Sequence, residues 1–172
     1  VIATVDGKTP VICDGVYVAP NAVVVGEVTI GCRSSIWFNT VLRGDMASIA
    51  VGEETSVQDL TMVHVDYLTP TVIGSRVVVG HRAIIHGATV GDECIIGMGA
   101  ILLNRSRVGK HCIVAAGSVL REGFEVPDGV LVAGLPAVIK RDIKPEEIER
   151  ILRNAANYVR RNELYRRERP GE

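Results

Sequence analysis

An aliphatic residue recurs every six positions along most of this chain, and that period constrains the fold more tightly than any other feature. The run is Val18, Val24, Ile30, Ile36, Leu42, then Val51, Val57, Val63, then Ile73, Val79, Ile85, then Val90, Ile96, Leu102, Val108, Val114, Leu120, Val126 and Val132. Glycine often follows directly, as at Gly31, Gly52, Gly74 and Gly91, and a small residue often stands four positions on, as at Ser34, Thr55, Thr89, Cys94 and Cys112. A step of six fits neither the 3.6-residue turn of an amphipathic helix nor an array of antiparallel hairpins. It does fit short parallel strands joined by tight turns, with each aliphatic side chain pointing inward and glycine supplying the backbone angles of the turn. Three hexads then close a triangular coil of about 18 residues, and coils stack about 4.8 Å apart.

This pattern resembles the left-handed parallel β-helix of the hexapeptide-repeat family, and the resemblance supplies the handedness. About six coils fit between Val18 and Ala137, giving a mainly β chain. Residues 1–17 read as a lead-in strand and cap with a turn at Asp6-Gly7, and residues 18–140 as the repeat. Gly134-Leu135-Pro136 ends the pattern, and Pro145 opens a helix within residues 141–172. Ile148, Ile151, Leu152, Ala155 and Val159 mark its apolar stripe. Glu146, Glu147 and Glu149 near its start, and the arginines between Arg160 and Arg169 near its end, suit the helix dipole and read as a solvated helix end. The whole is expected to form one domain, with the helix stripe lying along the prism or on a neighbouring one.

Aromatic residues make up 4% of the 172, too few to anchor a layered fold. A formal net charge of −1 offers no basic excess for nucleic acid or a membrane surface. No apolar run approaches the roughly 20 residues that cross a bilayer, and no leader pattern opens the sequence, so a cytoplasmic location is the expectation. Cys13, Cys32, Cys94 and Cys112 form no CxxC pair and read as small apolar packing residues. Cys94 and Cys112 become vertical neighbours in the ladder, although a disulfide there is not expected in a reducing compartment.

The sixfold step fails three times: nine residues from Leu42 to Val51, ten from Val63 to Ile73 and five from Ile85 to Val90. Polar residues gather at or beside these breaks: Arg43, Asp45, Gln58, Asp59, His64, Asp66, His81 and His86. Counting hexads puts Leu42, Val63 and Ile85 on one face of successive coils, so Arg43, His64 and His86 stack on its outside. Val57 and Val79 share the preceding face, which carries Asp59 and His81. Normals to two faces of a triangular prism diverge by about 120°, so the three rings cannot converge within one chain. Copies packed about a threefold axis would bring them together, His64 and His86 from one and His81 from the next. Three neutral imidazoles with an open position describe a catalytic zinc site. The plainer reading is a metal-free polar interface, and His111 is taken as a histidine of that ordinary kind.

At these positions the chain resembles the γ-class carbonic anhydrase-like family. The matching motifs are RGD at Arg43 to Asp45, SVQD at Ser56 to Asp59, H-x-D at His64 to Asp66, and VGHRAIIHG at Val79 to Gly87. The resemblance implies a homotrimer with one metal at each subunit interface, held by His64, His81 and His86. Zinc is the implied metal, with Fe2+ or Co2+ as substitutes. It also implies that hydroxide generated at the metal hydrates CO2 reversibly to bicarbonate. Gln58 would orient water or bicarbonate, Arg43, Asp45 and Asp59 would form an interface network, and Asp66 would support a ligand or its loop. Only 16 residues separate His64 from His81, so the acidic proton-shuttle loop of the family has no counterpart, and weak activity is compatible with that. Tyr158 and Tyr165 are candidates to approach the site from the helix or to pack in the core. Alternative functions are a hexapeptide acyltransferase or thioesterase-like protein acting on acyl-CoA, and a non-catalytic trimeric metal-binding protein.

Overall fold

In the computed structural model, which describes residues 1–168, the hexads wind into a left-handed parallel β-helix followed by a single helix, α1 (Pro145–Glu168). Three walls follow directly from strand register. Wall 1 stacks Val24, Leu42, Val63, Ile85, Leu102 and Leu120. Wall 2 stacks Ile30, Val51, Ile73, Val90, Val108 and Val126. Wall 3 stacks Val18, Ile36, Val57, Val79, Ile96, Val114 and Val132, so it has one level more than the six coils expected. An antiparallel strand, Ala137–Asp142, closes its lower end by pairing with Val130–Gly134. Every rung from Val24 onward is buried, and Val18 is partly buried against the same core. Each fully buried rung is worth roughly 1.5–3 kcal/mol, which is why the column tolerates only Val, Ile and Leu.

The small residues four positions after a rung also have an interior task. Ser34 Oγ donates to Gly52 O (2.7 Å), Thr55 Oγ1 to Gly74 O (2.7 Å), and Thr40 Oγ1 to Gln58 O (2.8 Å). Cys94 Sγ and Cys112 Sγ do the same to Gly109 O (3.0 Å) and Pro127 O (3.1 Å). These corners thus satisfy a carbonyl of the coil below, a position where an unpaired group would cost about 1–3 kcal/mol. After the five-residue step this station moves from Thr89 to Ala88, which is buried while Thr89 is not.

Two expectations need correction. The glycines after the rungs do not supply left-handed turn angles. Those angles fall two residues later and are held mainly by other residues, such as Arg33 (φ 60°), Glu54 (φ 56°) and Arg76 (φ 55°). Glycine is required after the rung for space, because a Cβ at Gly52 would lie 2.6 Å from the Gly74 carbonyl carbon. The second correction concerns Cys13 and Cys32, which are joined by a disulfide and are not simple packing residues. Val11–Ile12 pairs with Thr29–Ile30, which brings Cys13 beside Cys32, and the lead-in strand lies outside the hexad count that would have revealed it. Cys94 and Cys112 are free and buried, as expected. The Asp6-Gly7 turn is present, closed by paired bonds between Val5 and Lys8.

α1 starts at Pro145 and lies on the upper part of wall 3. Glu147 accepts from Lys144 N (2.9 Å) and from Arg141 (2.7 Å), capping the first turn. These contacts, the Arg141 guanidinium first, hold its carboxyl down to about 2. Ile151 and Ala155 are buried as the stripe predicts, whereas Leu152 remains exposed. The stripe continues through Asn162, whose Nδ2 donates to the carbonyls of Gly15 (2.9 Å), Arg33 (2.9 Å) and Ser34 (3.1 Å). Arg160, Arg161, Arg166 and Arg167 end the helix; Arg169 lies outside the described residues.

Candidate metal centre

All three breaks fall at one corner, where wall 1 hands over to wall 2 in successive coils. At the first, the strand Val41–Val51 continues straight through and carries Arg-Gly-Asp outward. At the second, Asp66 and Thr69 close a tight turn with reciprocal backbone bonds (3.2 and 2.9 Å). At the third, Gly87 (φ 56°) turns the corner with one residue fewer. His64 and His86 pair directly across wall 1, with Arg43 one level above, as hexad counting requires. Their ring centroids are 5.0 Å apart.

The outer contacts of the two rings determine which nitrogen carries hydrogen. His64 Nε2–H donates to Asp45 Oδ1 (3.0 Å), since a carboxylate only accepts. Asn104 Nδ2 donates to Asp66 Oδ2 (2.8 Å), which turns Asn104 Oδ1 toward His86 Nδ1 (2.7 Å); that nitrogen must therefore donate. His64 Nδ1 and His86 Nε2 are left facing each other at 3.1 Å, both presenting lone pairs. Two lone pairs at that distance repel unless a cation or proton lies between them. Tetrahedral zinc with bonds of about 2.0–2.1 Å holds its nitrogens about 3.3 Å apart, so the donor set fits.

His81 sits at a different corner, between wall 3 and wall 1. Its Nδ1–H donates to Asp59 Oδ2 (2.8 Å), and among the described residues none hydrogen-bonds Nε2 of this half-exposed ring. Among the described residues, no three His, Cys, Asp or Glu side chains within the single chain are grouped so as to hold a metal. His111 also has a carboxylate partner, Glu93 (2.5 Å), but belongs to a charged column with Arg76 far from any second imidazole.

Asp45 links the ring to a guanidinium, accepting from both His64 and Arg43. Burial pushes its carboxyl up, but these hydrogen bonds outweigh burial and hold it below the ordinary range. Gln58 is buried at the station after Val57, and its carbonyl receives Thr40 Oγ1. Among the described residues none hydrogen-bonds its side-chain amide, which retains its full capacity for a ligand. Asp59 also lines a cleft of about 250 Å³ with Trp37, Phe38, Tyr158, Arg161 and Tyr165. Tyr165 packs on Trp37 (4.9 Å between centroids), Tyr17 (5.5 Å) and Phe38 (6.3 Å), a core role. Tyr158 faces the cleft, and burial followed by the Asp59 charge pushes its hydroxyl up. Asn104 is the residue that motif reading missed. It lies 18 residues after His86 and one position past Leu103, which takes the His86 station in the next coil because Ile85 pairs with Leu102, only 17 residues on.

A family model for the hexapeptide repeat of succinyl-transferase matches residues 70–104. A probable carbonic anhydrase from Methanocaldococcus jannaschii is 45% identical over 152 residues, covering 88% of this chain and 96% of that protein. The mitochondrial gamma carbonic anhydrase 2 of Arabidopsis thaliana is 43% identical over 158 residues; the match covers 88% of this chain but only 57% of the length of that relative. A crystal structure of a hexapeptide transferase family protein from Anaplasma phagocytophilum superposes with a TM-score of 0.93 at 40% identity, covering 96% of this chain and 98% of that one. Among the described residues no helix is long and apolar enough to cross a membrane. With curated relatives at this level of identity over most of its length, and a repeat interrupted at one corner by histidines, the chain belongs to the γ-class carbonic anhydrase-like family of hexapeptide-repeat proteins.

Proposed function

We propose that this protein hydrates CO2 reversibly to bicarbonate at a divalent metal, zinc with Fe2+ or Co2+ as substitutes, shared between copies of a homotrimer. His64 and His86 of one copy and His81 of the next would hold the ion. The observation that carries this reading is the pair of bare nitrogens, His64 Nδ1 and His86 Nε2, held 3.1 Å apart by outer partners that occupy the other nitrogen of each ring. His81 repeats the arrangement, with Asp59 on one nitrogen and the other free. Such outer partners orient imidazole ligands and raise their basicity. When bound, the ion would supply the positive charge that lowers the pKa of water toward about 7. Asp45, Asn104 and Asp59 keep the three rings in ligand form, Arg43 balances the Asp45 charge, and the free Gln58 amide would orient the small substrate.

Elemental analysis should find about one ion per chain, and CO2 hydration should fall on chelation and return when metal is restored. An anomalous scattering peak at a metal edge should lie between the three imidazoles. A trimer purified without metal, with hydration indifferent to chelators, would end the proposal. Stoichiometric metal without hydration would instead leave a non-catalytic metal-binding trimer. The likeness to a hexapeptide transferase family protein supports a second reading, acyl transfer or acyl-CoA hydrolysis. Saturable binding of acetyl-CoA, with no metal effect on it, would favour that reading.

A further inference from the structure

We infer that Asn104 is a positioning residue for the metal centre, fixing the tautomer of His86 and tying that ring to the Asp66–Thr69 turn. The inference rests on the metal reading above for its consequence but not for its geometry. Asn104 Oδ1 accepts from His86 Nδ1 (2.7 Å), its Nδ2 donates to Asp66 Oδ2 (2.8 Å), and Asp66 Oδ1 accepts from Tyr67 N (2.7 Å). Each of the three links admits a single donor, since the Asp66 carboxylate only accepts. The backbone N–H of Tyr67 orients the carboxylate, which accepts from the amide nitrogen and so fixes which way the amide faces. The amide oxygen then requires hydrogen on His86 Nδ1, and Nε2 is left bare.

The space for this amide is itself built. A Cβ at Gly87 would lie 2.5 Å from Asn104 Oδ1 and 2.8 Å from Thr69 Cγ2, so glycine after His86 keeps the position open. Gly87 is also held in place, receiving Arg105 N at its carbonyl (2.7 Å) and donating to His64 O (3.1 Å). Thr71 Oγ1 donates to the same His64 carbonyl (2.5 Å). Gly87, at the five-residue break, thus leaves the room through which an amide from the next coil reaches His86.

The test uses the full-length protein, 15N-labelled at histidine, with Asn104→Leu and Asp66→Ala variants. In the metal-free wild type, nitrogen NMR should find His86 as a single Nδ1–H tautomer. Asn104→Leu should give a mixture of tautomers at His86 while His81 is unchanged. Chelator competition should show zinc affinity reduced about 10- to 100-fold. Asp66→Ala, a change in an exposed turn, should free the amide to flip and give the same changes at smaller amplitude. Should Asn104→Leu not fold, the Asp66→Ala result decides alone. An unchanged His86 tautomer in a folded variant overturns the inference, as does a changed tautomer with unchanged affinity in a wild type that binds zinc. A wild type that binds no zinc but shows the tautomer change would sink the metal reading while leaving the positioning role of Asn104 standing.

Discussion

Walls 1 and 2 have the same inner surface and opposite outer ones. On wall 1 the outward residue before each rung is Val23, Val41, Met62, Ile84, Ile101 or Val119; on wall 2 it is Thr29, Ala50, Val72, Thr89, Arg107 or Glu125. The station just after each rung differs as sharply. Wall 1 carries Val25, Arg43, His64, His86, Leu103 and Arg121 there, whereas wall 2 carries Gly31, Gly52, Gly74, Gly91, Gly109 and, at its last level, Pro127. Similar cores therefore support one largely apolar outer surface and one more polar one, and the proposed trimer would use the first. Wall 3 shows a third solution, since its upper outer face is covered by the chain's own helix.

The largest effect should come from a charge on wall 1. Ile84 is 37% exposed and Val72 on wall 2 is 39% exposed, so the two differ in their wall and hardly in accessibility. Ile84→Asp should break association, with the mass by light scattering falling to that of one chain and metal binding lost with it. Val72→Asp should leave the mass unchanged. Equal behaviour of the two variants would remove the functional meaning of the comparison.

Next in size is the loss of metal in His81→Ala, which should keep the coil intact by circular dichroism yet bind no ion. His64→Ala should behave alike. Mixing the two after subunit exchange should restore about a quarter of the sites, because some interfaces then join an intact His64–His86 pair to an intact His81. Absence of any recovery, with exchange demonstrated by mass spectrometry, would mean that wall 1 of one copy does not meet the His81 corner of another.

The stacking of His64 on His86 and the separate wall of His81 were legible in the sequence because every rung is a fixed station and one residue's offset determines its direction. Counting does not, however, say what fills the space between coils. In the sequence the glycine column on wall 2 reads as a source of turn angles, yet those angles are borne by Arg33, Glu54 and Arg76 and glycine answers a steric demand from the coil below. Asn104 escaped because its role depends on a hydrogen bond to Asp66, 38 residues earlier in the chain. Cys13 escaped because residues 1–17 read as a lead-in strand apart from the ladder, although Ile12 stands six residues before Val18 and pairs with Ile30. The glycine column makes a prediction of its own. Gly52→Ala should cost about 1–3 kcal/mol or more in denaturant unfolding, as overpacking does. Gly99→Ala, with open space around it but φ at 67°, should cost only about 1 kcal/mol. Equal costs would mean that the station just after a rung is no tighter than the turn position two residues later.

The smallest effect concerns wall 3 and its cover. Glu147 caps α1 through Arg141 and Lys144 N, contacts that hold its carboxyl down to about 2 from an ordinary 4.5. A carboxyl whose folded value is depressed contributes stability above its unfolded value and loses that contribution as pH falls through the folded one. The Tm difference between wild type and Glu147→Gln should therefore be constant above about pH 5 and shrink between pH 4.5 and 2. Taking the difference removes other depressed carboxylates such as Asp92 and Glu93, which titrate in both proteins. Near-ultraviolet dichroism provides a local reading, because Trp37 meets Tyr158 and Tyr165 of the helix at 6.0 and 4.9 Å. If the difference persists unchanged to pH 2, the cap does not act through charge, and the helix is held on wall 3 by Ile151, Ala155 and the Asn162 hydrogen bonds alone.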